Sequence, residues 1–174
     1  MPGMTRIVDA TSAEQLDHVR GLMRAFVAWH RGRYVDDLHL IDEYFDGAAF
    51  EAELASLPGA YAPPRGRLLL ALSDGEPAGC VALKELDERS CEMKRMFVDP
   101  AQQGKGVGRS LADAVVRVAR RIGYRSMLLD TSIRQVEAIA LYASLGFAEV
   151  EPYYAVPPSL RDWLVFMELP LDEG

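Results

Sequence analysis

Apolar positions along the chain follow two rhythms, one of three and four residues and one of alternate residues, and the switches between them outline an α/β chain. Leu16, Val19, Leu22, Met23, Phe26 and Val27 keep helical spacing and predict an amphipathic helix to about His30. Ahead of it, 5–10 reads as a short strand. Thr11 and Ser12 are cap residues, and Glu14 stands at the capping-box position for Thr11. Phe50, Leu54 and Leu57 mark a second helix over 46–57, ended by Pro58-Gly59. Segments 67–73, 77–86 and 91–98 are extended and rich in apolar residues. Asp74-Gly75 and Asp87-Glu88-Arg89-Ser90 separate them as turns, so the three predict an antiparallel meander. Strict alternation along 91–98 places Glu92, Lys94, Met96 and Val98 on one side and Cys91, Met93, Arg95 and Phe97 on the other.

The helical period returns with Val107, Leu111, Val115, Val118 and Ile122, and Gly123 stands where a C-terminal cap belongs. Arg117, Arg120 and Arg121 read as its solvated face or as cations able to reach a phosphate. Residues 124–130 have the apolar centre of a strand buried on both faces. Strand, helix, strand in this order is a parallel crossover. Ser132-x-x-Gln135 reads as a capping box for the next helix, which Gly146-Phe147 ends. Segments 148–153 and 163–169 are the last strands, before a polar tail at 172–174.

Composition narrows the function. With 174 residues, 49% hydrophobic and 26% charged, the chain suits one domain over 1–174. A formal charge of −7 argues against nucleic acid and favours a cationic guest. The start, MPGMTRIVDA, lacks the apolar run of a signal peptide, and no stretch approaches a membrane span, so a cytoplasmic location is expected. Cys80 and Cys91 fall at different ends of a hairpin and predict buried free thiols. Without Cys-x-x-Cys and with three histidines, no metal site is expected.

The chemistry gathers at Gln103-Gly104-Lys105-Gly106-Val107-Gly108, between the strand that Asp99-Pro100 ends and the helix from Val107. Three glycines in five residues allow left-handed backbone and close approach of a ligand. The helix N-terminus that follows adds unpaired amides and the positive end of its dipole, which makes an anion site suited to a pyrophosphate. A Walker loop fails because Arg109 stands five residues after Gly104. A dinucleotide fingerprint fails because Arg109 and Leu111 occupy its third glycine position.

Gln103-x-x-Gly106-x-Gly108 resembles the Gln/Arg-x-x-Gly-x-Gly/Ala signature of the GCN5-related N-acetyltransferases. Ala138-Ile-Ala-Leu-Tyr142-Ala-Ser-Leu-Gly146-Phe147 resembles the second motif of that family, in the right order and at about the right distance. The resemblance covers about 66–150. It implies a mixed, mainly antiparallel central sheet of six or seven strands flanked by about four helices. It also implies transfer of an acetyl group from acetyl-CoA to a primary amine, on a small molecule, an amino acid or a protein, by direct attack in a ternary complex. Homodimers are common among the proteins it resembles.

Site residues follow from the same resemblance. Gln103, Gly104, Lys105, Gly106, Val107, Gly108 and Arg109 would cradle the pyrophosphate. The backbone of Met96, Phe97 and Val98 would hold the pantetheine arm and polarise the thioester. Glu92 would be the base that frees the amine lone pair, or else pair with Lys94 or Arg95. Tyr142 would protonate the departing thiolate, or else pack. Gln135 stands where the family often has an asparagine that touches pantetheine. Residues 29–45, with Tyr153 and Tyr154, would line the acceptor side, or else form a surface helix end and a packed corner. Two other readings stay open: an acyl-CoA-binding sensor without catalysis, and a nucleotide-binding protein that uses the turn for another phosphate.

Overall fold

A computed structural model describes residues 4–171, so the tail at 172–174 and the first three residues lie outside the described residues. Seven strands form one sheet: β1 (Thr5–Asp9), β2 (Arg67–Ser73), β3 (Glu76–Glu85), β4 (Ser90–Val98), β5 (Ser126–Ser132), β6 (Ala148–Val150) and β7 (Leu164–Pro170). Their order is β1-β2-β3-β4-β5-β7-β6, and every pair is antiparallel except β4 with β5. Five helices cover it: α1 (Ala13–Arg33), α2 (Leu38–Tyr44), α3 (Gly47–Ser56), α4 (Val107–Ile122) and α5 (Val136–Ser144). The mixed, mainly antiparallel architecture is therefore the expected one, with one helix more.

Alternation along the strands makes two cores. Leu69, Val81 and Leu83 face the stripe of Leu111, Val115 and Ala119 on α4. Leu68, Leu70 and Cys80 point the other way, toward Val19 and Met23 of α1 and Leu54 of α3. Leu111 is fully buried, so truncating it to alanine costs about 2–5 kcal/mol by lost transfer energy and a cavity. Cys80 and Cys91 are free and buried in opposite cores, one on each face of the sheet.

Local signals set several boundaries well. Gly123 ends α4 with φ +108°, and its N–H donates to the Ala119 carbonyl at 3.2 Å. Other signals misled. Ser12, not Thr11, is the α1 cap, and its box partner is Gln15: Gln15 N–H donates to Ser12 Oγ at 3.1 Å while Gln15 Oε1 accepts from Ser12 N–H at 3.0 Å. Ser132 stays in β5 and accepts from Arg134 N–H at 3.1 Å, and Gln135 opens α5 without a side-chain cap. Helix α2 was not foreseen. At seven residues it is under two turns and leaves no readable period. The strand expected over 148–153 pairs only as far as Val150.

The expected alternation along β4 fails at Arg95. Cys80 opposes Phe97 and Ala82 opposes Lys94, so β4 carries one residue more than β3 between these pairs. Arg95 takes φ +58°, and the extra residue turns the rest of the strand over. Met96 and Val98 thus join Cys91 and Met93 on the α4 side, while Phe97 joins the α1 side.

Candidate active site

The bulge lies where β4 and β5 part. They pair only at Ser90 with Ser126, Cys91 with Met127 and Glu92 with Leu128. Beyond this, β4 follows β3 to Val98 and β5 follows β7 to Ser132. The parting leaves backbone groups of β4 at a free edge, which a bound chain can pair as an added strand.

Two cavities meet in the split. The larger, of about 410 Å³, lies between the Met96, Phe97 and Val98 edge, the glycine turn, and Ala138, Leu141 and Tyr142 of α5. Gly104 and Gly106 take φ +80° and +81°, and a Cβ on either would meet nothing within 4 Å, so the turn borders open space. Ser110 N–H donates to the Gly106 carbonyl at 3.0 Å, so the amides of Val107, Gly108 and Arg109 precede the first paired amide of α4. Gln103 Nε2 donates to the Val98 carbonyl at 3.2 Å and ties the turn to the strand end. Lys105 and Arg109 do not line the cavity. Lys105 Nζ donates to Gln102 Oε1 at 3.3 Å and Arg109 Nη2 to Ser144 Oγ at 2.8 Å.

The smaller cavity, of about 70 Å³, is lined by Tyr44, Lys94, Arg95, Asp130 and Trp163 among others. Tyr142, Met96, Gln135, Ala138 and Phe26 border both cavities. Tyr142 is buried and packs against Phe147, and its hydroxyl makes no hydrogen bond to the described residues. Burial, reinforced by the charge of Asp130, raises its pKa well above that of an ordinary phenol. It therefore keeps its proton at neutral pH and can donate it.

The two carboxylates near the split stand differently. Asp130, at the outer part of β5, borders the smaller cavity and accepts hydrogen bonds from Tyr44 and Tyr154, each at 2.5 Å. Glu92 is buried, accepts a hydrogen bond from Tyr153, and has Lys94 Nζ 3.8 Å away. It borders neither cavity. The expected pairing of Glu92 with Lys94 is present, whereas Arg95 turns to Glu53.

Residues from 29–45 do reach the split. Trp29 and Arg33 border the larger cavity, and His30, Tyr44 and Phe45 the smaller. His30 is buried among Phe26, Trp29, Tyr34 and Phe45. Its Nδ1–H donates to the Phe26 carbonyl at 2.9 Å, so Nε2 accepts from the Gln135 amide. Burial lowers the pKa of His30 below that of a free imidazole. Gln135 is thus held by α1. Burial pushes both thiols up, to about 12, which keeps Cys80 and Cys91 as neutral packing groups rather than nucleophiles. Among the described residues, no three His, Cys, Asp or Glu side chains gather to hold a metal, and no helix is long and apolar enough to cross a membrane.

Sequence reading missed Asp130 and Lys94 as cavity residues, whereas His30 and Tyr44 fall within the expected span 29–45. Asp130 had a signal, a charge ending the apolar run Met127-Leu128-Leu129 of a buried strand. Lys94 had none, because a charge on a strand is read equally well as a surface residue.

Residues 28–147, well over half the chain, match the family model described as Acetyltransferase (GNAT) family. The chain is 39% identical over 107 residues to an uncharacterized N-acetyltransferase of Schizosaccharomyces pombe, covering 60% of this chain and 66% of that protein. It is 37% identical over 111 residues to a protein of Azospirillum brasilense named IAA acetyltransferase, covering 63% and 71%. Its fold superposes with a TM-score of 0.73 on the PaiA N-acetyltransferase of Thermoplasma acidophilum in complex with coenzyme A, at 17% identity and covering 96% and 99%. The family match over most of the chain shows that the chain belongs to the GNAT family of acetyltransferases.

Proposed function

We propose that this chain moves an acetyl group from acetyl-CoA to a primary amine by direct attack within a ternary complex. The observation that carries the reading is the meeting of two cavities at Tyr142, in the split between β4 and β5. One cavity ends at a helix N-terminus suited to a pyrophosphate. The other is small, aromatic-walled and bordered by a carboxylate, which suits the amine end of a slender acceptor.

Pyrophosphate would rest on the amides of Gly104, Gly106, Val107 and Gly108, and pantetheine would pair with the free backbone edge of Met96, Phe97 and Val98. A backbone N–H of that edge would polarise the thioester carbonyl. The amine nitrogen attacks the carbonyl carbon, the C–S bond breaks, the thiolate takes its proton from the Tyr142 hydroxyl, and the nitrogen releases its second proton, which restores the phenol. The ammonium must first lose a proton to a carboxylate. Asp130 borders the acceptor cavity and Glu92 does not, which favours Asp130 over the sequence candidate. Glu92 would then act from behind, on Lys94 and Tyr153.

Isothermal titration with acetyl-CoA, followed in the same sample by a free-thiol assay over a panel of amines, tests this. Binding with amine-dependent thiol release is expected. Binding without release on a broad panel turns the reading toward a coenzyme sensor, and ATP or NAD displacing coenzyme A turns it toward a nucleotide-binding protein.

A further inference from the structure

The residue that turns β4 over is held by a helix that touches neither cavity. Arg95 stands at φ +58°, a backbone region that non-glycine residues occupy at a cost. Such a conformation persists where surrounding contacts over-determine it. Here the guanidinium donates from Nε and Nη2 to the two carboxylate oxygens of Glu53 on α3, at 3.0 and 2.9 Å. It also lies over the rings of Phe45 and Phe50, at 5.3 and 5.4 Å. The side chain of Arg95 is 11% exposed and that of Glu53 26%. Both charges are therefore largely desolvated, and bidentate geometry fixes the fork in one orientation.

We infer that Glu53 is a positioning residue for the coenzyme: through Arg95 it holds the bulge that presents the edge of Met96, Phe97 and Val98 to the larger cavity. The inference rests on the coenzyme reading above. Without the bulge, the next residues would exchange faces. Met96 and Val98 would leave the side on which they pack with Val107 and Leu111, and the backbone groups between them would turn with them. Removing the Glu53 carboxylate strands a buried guanidinium, which is relieved when Arg95 swings out and leaves its left-handed conformation.

The test uses the affinity of acetyl-CoA by titration calorimetry, with thermal unfolding recorded beside it. Glu53→Ala is expected to raise Kd about tenfold, the size of effect that loss of one strained backbone conformation gives. Its kcat at saturating acetyl-CoA should fall as well, because the same edge would supply the N–H that polarises the thioester. Adding Arg95→Gly to Glu53→Ala should restore most of the affinity, because glycine takes a positive φ without a tether. A second pair guards against misfolding of the first variant. Arg95→Gly and Arg95→Val delete the same charge, but only the glycine keeps the bulge, so the valine variant should bind about tenfold more weakly than the glycine variant.

An unchanged Kd in Glu53→Ala, whatever its thermal stability, overturns the inference and leaves the pair a stabilising contact. Equal affinities of Arg95→Gly and Arg95→Val overturn it as well. These outcomes leave the coenzyme reading standing if the wild-type chain binds acetyl-CoA. A wild-type chain that binds none overturns that reading, and the inference with it.

Discussion

The phenol of Tyr153 donates a hydrogen bond to the buried carboxylate of Glu92. Glu92 borders neither cavity, while Asp130 borders the smaller one and accepts from Tyr44 and Tyr154. Asp130→Asn should therefore lower kcat by about a hundredfold or more, the usual scale of a lost proton acceptor. Glu92→Gln should cost about tenfold or less at saturating amine. Steady-state rates of both variants at saturating acetyl-CoA decide the matter, and the reverse ranking gives the base to Glu92.

Tyr142 borders both cavities and has no hydrogen-bond partner among the described residues. Tyr142→Phe keeps its packing against Phe147 and deletes the proton that the thiolate would take. Acetyl-CoA affinity should stay within about threefold while kcat falls by about 100-fold. Since burial and Asp130 raise the pKa of this phenol, the wild-type rate should show no loss from its ionisation as pH rises through the ordinary phenol range. Unchanged turnover in the variant would refute the acid role.

Gly106 opens α4 at φ +81° with open space where a Cβ would stand. Valine there is strained by its backbone, by about 1–3 kcal/mol, and its methyl groups project into the space assigned to the pyrophosphate. The Gly106→Val chain should remain folded, since no protein atom is in the way, yet bind acetyl-CoA at least about 100-fold more weakly. Retained affinity in calorimetry would remove the glycine turn from the site.

His30 links Phe26 and Gln135 as a neutral ring in an aromatic pocket. Its folded pKa is lowered by burial, so the unfolded chain binds the proton more readily. The stability this group supports is complete above the ordinary imidazole pKa, about 6.5, and is lost as pH falls below it toward the folded value. Denaturant unfolding at pH 7.5 and pH 5 should show this loss in the wild type. His30→Gln should flatten the slope between the two; an identical slope would show that His30 does not carry it.

The sequence alone determined what depends on neighbours along the chain. The strands from Arg67 to Val98, the cap at Gly123, the glycine turn and the helix that carries Tyr142 each have a signal within a few residues: alternation, a turn pair, a left-handed glycine, a period of 3.6. Those signals placed the larger cavity, because the turn and the tyrosine helix are two of its walls. Tertiary structure alone decided the rest. The alternation of β4 breaks where its register with β3 shifts, at Arg95, whose guanidinium is bonded to Glu53, 42 residues earlier. Which carboxylate reaches the smaller cavity depends on where β5 leaves β4 and on phenols from α2 and from the loop before β7. Such pairings join groups far apart in the chain, and their geometry is set by packing and desolvation after the elements have met, which no local period records.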